Sequence, residues 1–180
     1  MLPFNALEKL QPFIERTELV NVLVDTPKGS PFKLKYESEG LFRVHKAMPL
    51  GFAFPFNFGF LPSTRAEDGD ALDILLLTEY IMPVGALVAA RLLAVLEARQ
   101  ADGRKKYRND RLIAIPVELK SKKPMQPIVA FDRDLKKAIV DFFIKYNEAQ
   151  GRTFEPLGYG SAAQAVQIVR RSIQSEKSCC

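Results

Sequence analysis

The sequence predicts an α+β protein in which a small, closed or nearly closed β-barrel packs against C-terminal helices. Six short apolar or alternating runs lie between residues 18 and 117, separated by turn sequences such as PKGS, SEG, EDGD, PVG and ADG. From residue 132 the apolar residues recur with a helical period instead of a strand period. Since no repeat or low-complexity linker interrupts these segments, we predict a single domain over residues 19–175.

The barrel part begins after an N-terminal segment, residues 1–18, which we predict to be a short helix or an arm. Its apolar residues recur at near-helical spacing, although Pro12 interrupts them. Those apolar residues are Leu7, Leu10, Phe13 and Ile14. The predicted strands lie in ELVNVLVDT, FKLKYES, LFRVHKAM, LDILLLT, ALVAARLLAVLEAR and RLIAIPV. The phenylalanines of residues 52–64 alternate with small or polar residues and indicate a further core strand with a bend.

Two amphipathic helices are predicted beyond the barrel. Asp134 could cap the first helix and Gly151 could end it, while the second helix follows Ser161. The apolar stripe of the first helix comprises Leu135, Ala138, Ile139, Phe142, Phe143 and Tyr146. That of the second comprises Ala162, Ala165, Val166, Val169 and Ile173. Residues 176–180 form a polar tail.

Composition limits the possible functions. With 180 residues and 47% hydrophobic content, the chain is long enough for one soluble domain, and it has neither a membrane-length apolar run nor a secretory pattern at its start. We therefore expect a cytoplasmic protein with no membrane partner. The adjacent Cys179 and Cys180 cannot form a disulfide framework or a zinc site. Because His45 is the only histidine, most hydrolytic triads are excluded, and we expect His45 to have a structural or surface role.

The net charge is +5, and much of the positive excess lies in two short clusters, RKKYR at 104–108 and KSKK at 120–123. Such runs are either solvated loops or an anion-binding surface. The solvated interpretation is the default for runs this short.

Chemistry in this chain must rest on carboxylates, and the segment AEDGDALDILLL concentrates them. In an extended segment Asp68 and Asp70 project to one side, and Asp73 can converge on them. Their mutual repulsion requires a counter-charge, which magnesium or manganese could supply. The alternative is a solvated turn whose aspartates cap its own backbone. Four basic residues of the preceding strands could face the acidic segment and bind a phosphate, namely Lys33, Lys35, Arg43 and Lys46.

The order of VLVDTPKGSPFKLKYE, FAFPFNFGFLPST and EDGDALDILLL resembles the family I soluble inorganic pyrophosphatases. The resemblance covers residues 19–173, and the D-G-D-x-x-D element is its most specific part. It implies a five-stranded closed barrel of the OB-like kind, cytosolic location, homo-oligomerisation and magnesium-dependent hydrolysis of diphosphate. Manganese is a possible substitute for magnesium.

By the same resemblance, Asp70 activates the attacking water. The implied metal ligands are Asp68 and Asp73, with Asp25 as a shortened carboxylate and Asp110 only if a bulge shifts its register. The implied phosphate-binding residues are Lys33, Lys46, Arg111 and Tyr146.

Several positions depart from the family pattern. Lys35 stands where a carboxylate is common, and Gln100 and Asn109 stand where metal-binding aspartates are expected. Phe54 and Phe58 replace tyrosines, and Asn147 replaces a helix lysine. These changes leave open a weakly active or non-catalytic phosphate-binding barrel. A nucleic-acid-binding barrel is a further alternative, although it would need exposed aromatic side chains, whereas these phenylalanines lie in apolar runs.

Overall fold

The computed structural model describes residues 10–37, 40–125 and 130–173. Within these ranges the strands are β1 (Leu19–Thr26), β2 (Phe32–Tyr36), β3 (Phe42–Ala47), β4 (Asn57–Phe60), β5 (Asp73–Leu76), β6 (Leu87–Asp102), β7 (Lys105–Arg108), β8 (Arg111–Pro116) and β9 (Thr153–Ser161). The helices are α1 (Arg133–Glu148) and α2 (Ala162–Ser172).

Five strands pair in a ring. β1 pairs with β4, β4 with β5, β5 with β8, β8 with β6, and β6 returns to β1, with only the β5–β8 pair parallel. The ring closes because β6 pairs with both β8 and β1. β6 is 16 residues long and also pairs with β7 and β9 outside the ring. The β2–β3 hairpin forms a separate two-stranded sheet. The predicted mixed α+β fold, with a ring of five strands and C-terminal helices, is confirmed.

Successive residues of a strand point to opposite sides of the sheet, and nearly all residues of β1, β4, β5 and β8 are buried, so both faces of these four ring strands are covered. In β5, Ile74 and Leu76 belong to the hydrophobic cluster that includes Val169 of α2. Leu75 belongs to the second cluster, which includes Phe143 of α1. The two helices therefore pack against two different apolar surfaces of one ring.

The ends of the helices follow their capping residues. Asp132, and not the predicted Asp134, caps α1, because its side chain accepts a hydrogen bond from the backbone of Leu135. Ser161 and Gln164 form a capping box at the start of α2, which begins directly after Ser161 as predicted.

Three parts of the chain differ from the prediction. The described residues of the N-terminal segment, 10–18, contain no helix. Pro12 and Ile14 accept backbone hydrogen bonds from Asn21 and Thr17, so the segment turns back onto β1. The basic run at 105–108 is the strand β7 and not a loop. β9 was not predicted at all. Residues 1–9 and 176–180 lie outside the described residues, and the domain boundaries stay a prediction.

Neither helix in the described part of the chain combines the length and apolarity needed to cross a membrane.

Candidate active site

A cavity of about 650 Å³ opens between the β2–β3 hairpin, the turn before β5 and the ends of β6, β7 and β8. It contains most of the side chains that the sequence singled out. The predicted site residues that line it are Asp25, Lys33, Asp68, Asp70, Asp73, Arg111 and Tyr146. Seven of the nine predicted site residues therefore line one cavity.

The acidic segment enters this cavity as a turn, not as the extended segment expected from its spacing. The backbone N–H of Ala66 donates to the carbonyl of Asp70 at 2.7 Å, and Gly69 adopts φ +94°. Asp68 Oδ1 accepts a hydrogen bond from the backbone of Asp70 at 3.1 Å. The segment is therefore a self-capped turn, as one of the two interpretations expected, and its carboxylates line the cavity.

Two of the aspartates are paired with cationic side chains. Lys35 Nζ lies 3.0 Å from Asp70 Oδ1, and both side chains are largely exposed, at 51% and 65%. Arg111 Nη1 lies 3.1 Å from Asp73 Oδ2, and only 8% of the Arg111 side chain is exposed. The cavity thus provides its own counter-charges for these carboxylates.

Asp25 and Lys33 form a more deeply buried pair at 3.3 Å. Burial raises the pKa of Asp25, and Asp73 adds to this effect, whereas Lys33 opposes it. For Lys33, burial favours the neutral amine, but the carboxylates of Asp25 and Asp73 outweigh it and raise its pKa. The lysine is therefore held in its charged form at the floor of the site.

Asp68 has no salt bridge in the described part of the chain. Burial raises its pKa, and the neighbouring carboxylates of Asp73 and Asp70 raise it further, against the hydrogen bond from the Asp70 backbone and the charge of Arg111. A bound cation would relieve this repulsion.

A chain of polar side chains forms the wall opposite the hairpin. Asn109 Nδ2 donates to Gln100 Oε1 at 2.8 Å, and Gln100 Nε2 donates to the hydroxyl of Tyr107 at 3.0 Å. Arg111 Nη1 donates to Asn109 Oδ1 and also forms the salt bridge with Asp73. Gln100 and Asn109 are thus committed to partners within the protein. The Arg111 guanidinium also lies 5.3 Å from the ring of Phe143, which fixes its position against α1.

Two predicted site residues lie outside the cavity wall. Asp110 accepts hydrogen bonds from the backbone of Ala98 and from Arg108, both at 3.0 Å, because no bulge shifts the β6–β7 register to turn it inward. Lys46 donates to Gln150 at 2.7 Å and lies beside the cavity. Burial and the charge of nearby Arg152 lower the pKa of Lys46.

Arg43, which was expected to face the acidic segment, pairs instead with Glu37 at 3.1 Å.

The aromatic residues near the site are mostly core residues. Phe54 and Phe58 are buried, and Phe54 packs against the ring of Tyr146 at a centroid distance of 5.5 Å. The other three phenylalanines between residues 52 and 60, Phe52, Phe56 and Phe60, are half-buried. They do not provide the exposed stacking surface that the nucleic-acid alternative requires. Asn147 is buried and donates to the carbonyl of Phe143 at 2.8 Å, so its side chain bonds within α1 and does not line the cavity.

Sequence reasoning missed several residues of the wall. Lys105 and Tyr107 line the cavity from alternate positions of β7, and Arg152 lines it while pairing with Asp102 at 2.8 Å. The alternation in KKYR could have indicated this face, had the run been recognised as a strand. His45 also lines the cavity, because a bulge in β3 opposite Lys33 and Leu34 leaves it out of the ladder.

The carboxylates fit a divalent cation in chemistry but are not arranged as a preformed metal site. Over residues 10–37, 40–125 and 130–173, no three acidic, histidine or cysteine side chains are grouped closely enough to hold a metal ion. Asp70 and Asp73 are each paired with a cationic side chain of the protein. Among the residues that the structure describes, none bonds to the second carboxylate oxygen of Asp68, and hard divalent cations prefer such ligands.

Comparisons with known proteins agree with this architecture. The family model described as Inorganic pyrophosphatase matches residues 22–177. An inorganic pyrophosphatase of Sulfolobus acidocaldarius is 32% identical over 170 residues, which are 92% of this chain and 96% of that protein. One from Neisseria meningitidis is 28% identical over 159 residues, covering 87% of this chain and 88% of its own.

Solved structures give the same result. The inorganic pyrophosphatase of Thermus thermophilus superimposes with a TM-score of 0.78 at 26% identity, over 93% of this chain and 96% of that one. That of Neisseria gonorrhoeae gives 0.77 at 28% identity, over 91% and 94%. The chain belongs to the inorganic pyrophosphatase family.

Proposed function

We infer that this protein hydrolyses inorganic diphosphate to two phosphates with a divalent metal ion. The observation that carries this inference is that aspartates and cationic side chains line one cavity in a member of this family. A phosphoanhydride needs cations to neutralise its oxygens and a base to activate water, and the cavity offers both kinds of group.

Positively charged and hydroxyl groups that line the cavity can bind the substrate. We propose that Lys33, Arg111 and Tyr146 hold the phosphoryl oxygens. Lys33 is kept charged by its carboxylate neighbours, and Arg111 is fixed in place by Asn109 and Phe143. Such preorganised donors stabilise charge that develops on the leaving phosphate.

The chemical step needs a base close to the substrate. We propose that Asp70 accepts a proton from the attacking water, whose oxygen bonds to one phosphorus while the bond to the bridging oxygen breaks. Asp68, with Asp70 and Asp73 nearby, would hold a divalent cation, which would supply a lowered pKa of the bound water and a polarised phosphoryl group. We propose magnesium as this ion, with manganese as a substitute, because aspartate oxygens are ligands suited to both.

Location and assembly are further proposals. We propose a cytoplasmic enzyme, as the resemblance to the cytosolic family I pyrophosphatases implies. Exposed apolar side chains, including Leu41, Val44 and Leu50 around the hairpin, support homo-oligomerisation. The closed ring of pairings supports an OB-like barrel.

Phosphate release from diphosphate, measured with magnesium for the wild type and for Asp70→Asn, tests the proposed function. Turnover by the wild type and its loss in the variant support it. Calorimetric binding of diphosphate without phosphate release would instead identify a non-catalytic phosphate-binding barrel.

A further inference from the structure

The hydrogen-bonded side chains on the wall opposite the hairpin have a fixed direction. Arg111 carries donors only, so the atom of Asn109 that faces it must be the carbonyl oxygen. The amide nitrogen of Asn109 then faces Gln100 and donates to its Oε1 at 2.8 Å. This contact turns the amide nitrogen of Gln100 toward Tyr107, where it donates to the hydroxyl oxygen at 3.0 Å.

The last member of this series, Tyr107, has one proton left to donate. Its hydroxyl oxygen accepts the hydrogen bond from Gln100, so its own O–H must find a partner elsewhere. Within the three described stretches of the chain, no group accepts a hydrogen bond from that hydroxyl. Burial raises the pKa of Tyr107 against the charge of Arg152, so the hydroxyl keeps its proton at neutral pH.

The surroundings of Tyr107 favour an anion as the acceptor of this proton. Tyr107 lines the cavity, and Lys105 Nζ lies 5.6 Å from the centre of its ring. The charge of Arg152 also acts on the hydroxyl, whereas the carboxylates of Asp68 and Asp102 oppose these cations. Asp102 is already paired with Arg152 at 2.8 Å. Anionic phosphoryl oxygens accept strong, charge-assisted hydrogen bonds, so a phosphoryl group suits this position.

We propose that Tyr107 is a further substrate-binding residue, which donates its hydroxyl proton to a phosphoryl oxygen of bound diphosphate, and that Gln100 and Asn109 are positioning residues. The two amides connect this hydroxyl to the Arg111 guanidinium, so two donors of one wall are held in place before the substrate arrives. Donors that are already oriented cost less to bring into contact with a ligand. The proposal rests on the proposed function, because it adds a contact to the same substrate.

Calorimetric binding of methylenediphosphonate in millimolar magnesium tests the proposal, because the bridging carbon of this analogue prevents hydrolysis. Tyr107→Phe removes only the hydroxyl group. We expect its dissociation constant for the analogue to rise about 10–100-fold, as for the loss of a hydrogen bond to a charged group. Tyr159→Phe is the matched control, because it removes a hydroxyl that donates to the backbone of Lys136 away from the cavity. This variant should bind the analogue as tightly as the wild type does.

An indirect role, in which Tyr107 only holds Arg111 in place through the two amides, is tested by a second variant. Gln100→Met interrupts the series of hydrogen bonds and leaves the Tyr107 hydroxyl present. If Tyr107 contacts the substrate, adding Tyr107→Phe to Gln100→Met should weaken analogue binding at least about threefold further. An indirect role predicts no further loss.

A spectroscopic measurement decides the question even if the buried Gln100→Met variant fails to fold. The ultraviolet difference spectrum on analogue binding should contain a tyrosine component in the wild type that is missing in Tyr107→Phe. Identical spectra would overturn the proposal, as would an unchanged dissociation constant for Tyr107→Phe, an equal loss in Tyr159→Phe, or no analogue binding by the wild type. Failure of the proposed function is seen separately, as a wild type that binds the analogue through Tyr107 but releases no phosphate from diphosphate.

Discussion

Replacing Arg111 by methionine should destabilise the protein although the side chain lies at a functional site. Methionine keeps most of the packing volume but loses the charge and the hydrogen bonds to Asp73 and Asn109, as well as the contact with the ring of Phe143. A hydrogen bond to a charged group contributes about 1.5–3 kcal/mol and a cation–π contact about 0.5–2 kcal/mol. Because the Asp73 side chain is 32% exposed, water can solvate its carboxylate and offset part of the free energy lost with the ion pair.

We therefore expect the free energy of unfolding to fall by about 2–4 kcal/mol, which at a urea dependence of about 2 kcal/mol/M shifts the midpoint by about 1–2 M. Urea unfolding followed by circular dichroism without metal measures this shift. Lys35→Met is the matched control, because it breaks an exposed ion pair in the same cavity and should cost less than about 1 kcal/mol. Equal shifts for both variants, or no shift for Arg111→Met, would refute the assignment of Arg111 as a buried anchor of the site.

Three further outcomes are expected. Asp70→Asn should lower kcat for phosphate release by about 10²–10⁴-fold without changing the melting temperature, since the side chain is mostly exposed, and a loss below tenfold contradicts its role as the base. Gly59→Ala should lower the free energy of unfolding by at least about 1–3 kcal/mol, because its Cβ would lie 2.4 Å from the backbone oxygen of Leu23, and an unchanged melting temperature contradicts this. Burial raises the pKa of Tyr159, whose hydroxyl donates to the carbonyl of Lys136, so the folded state keeps a proton that the unfolded state releases above pH 10. Stability should therefore fall as pH rises above 10, less steeply in Tyr159→Phe, and equal slopes for the two proteins would count against the raised pKa.

Much of the fold could be predicted from local pattern. Strand alternation located the five ring strands, and the helical stripe of α1 is confirmed by its buried Ile139, Phe142 and Phe143. β9 escaped because Pro156 and two glycines, Gly158 and Gly160, weaken any strand signal. Its pairing with β6 skips one residue beside Pro156, so a bulge accommodates the proline in a way that only the partner strand reveals.

The sequence predicted which side chains line the cavity better than it predicted which of them form ion pairs with one another. Asp68, Asp70 and Asp73 are close in sequence, and their shared cavity follows from that spacing. The partner of Asp70 is Lys35, which is 35 positions away, and no local pattern indicates that the two side chains meet. For Asp110 the strand alternation itself predicted the outward orientation unless a bulge intervened, and none does.

The length of β6 also determines how the protein can fold. This one strand contacts β1, which lies more than 60 residues earlier in the chain, and β9, which begins 51 residues after β6 ends. While the chain is being synthesised, the strands made before β6 have unpaired edges and no means of closing the ring. Folding must therefore wait for distant segments to meet, which favours slow kinetics and a period in which the nascent chain is prone to aggregate.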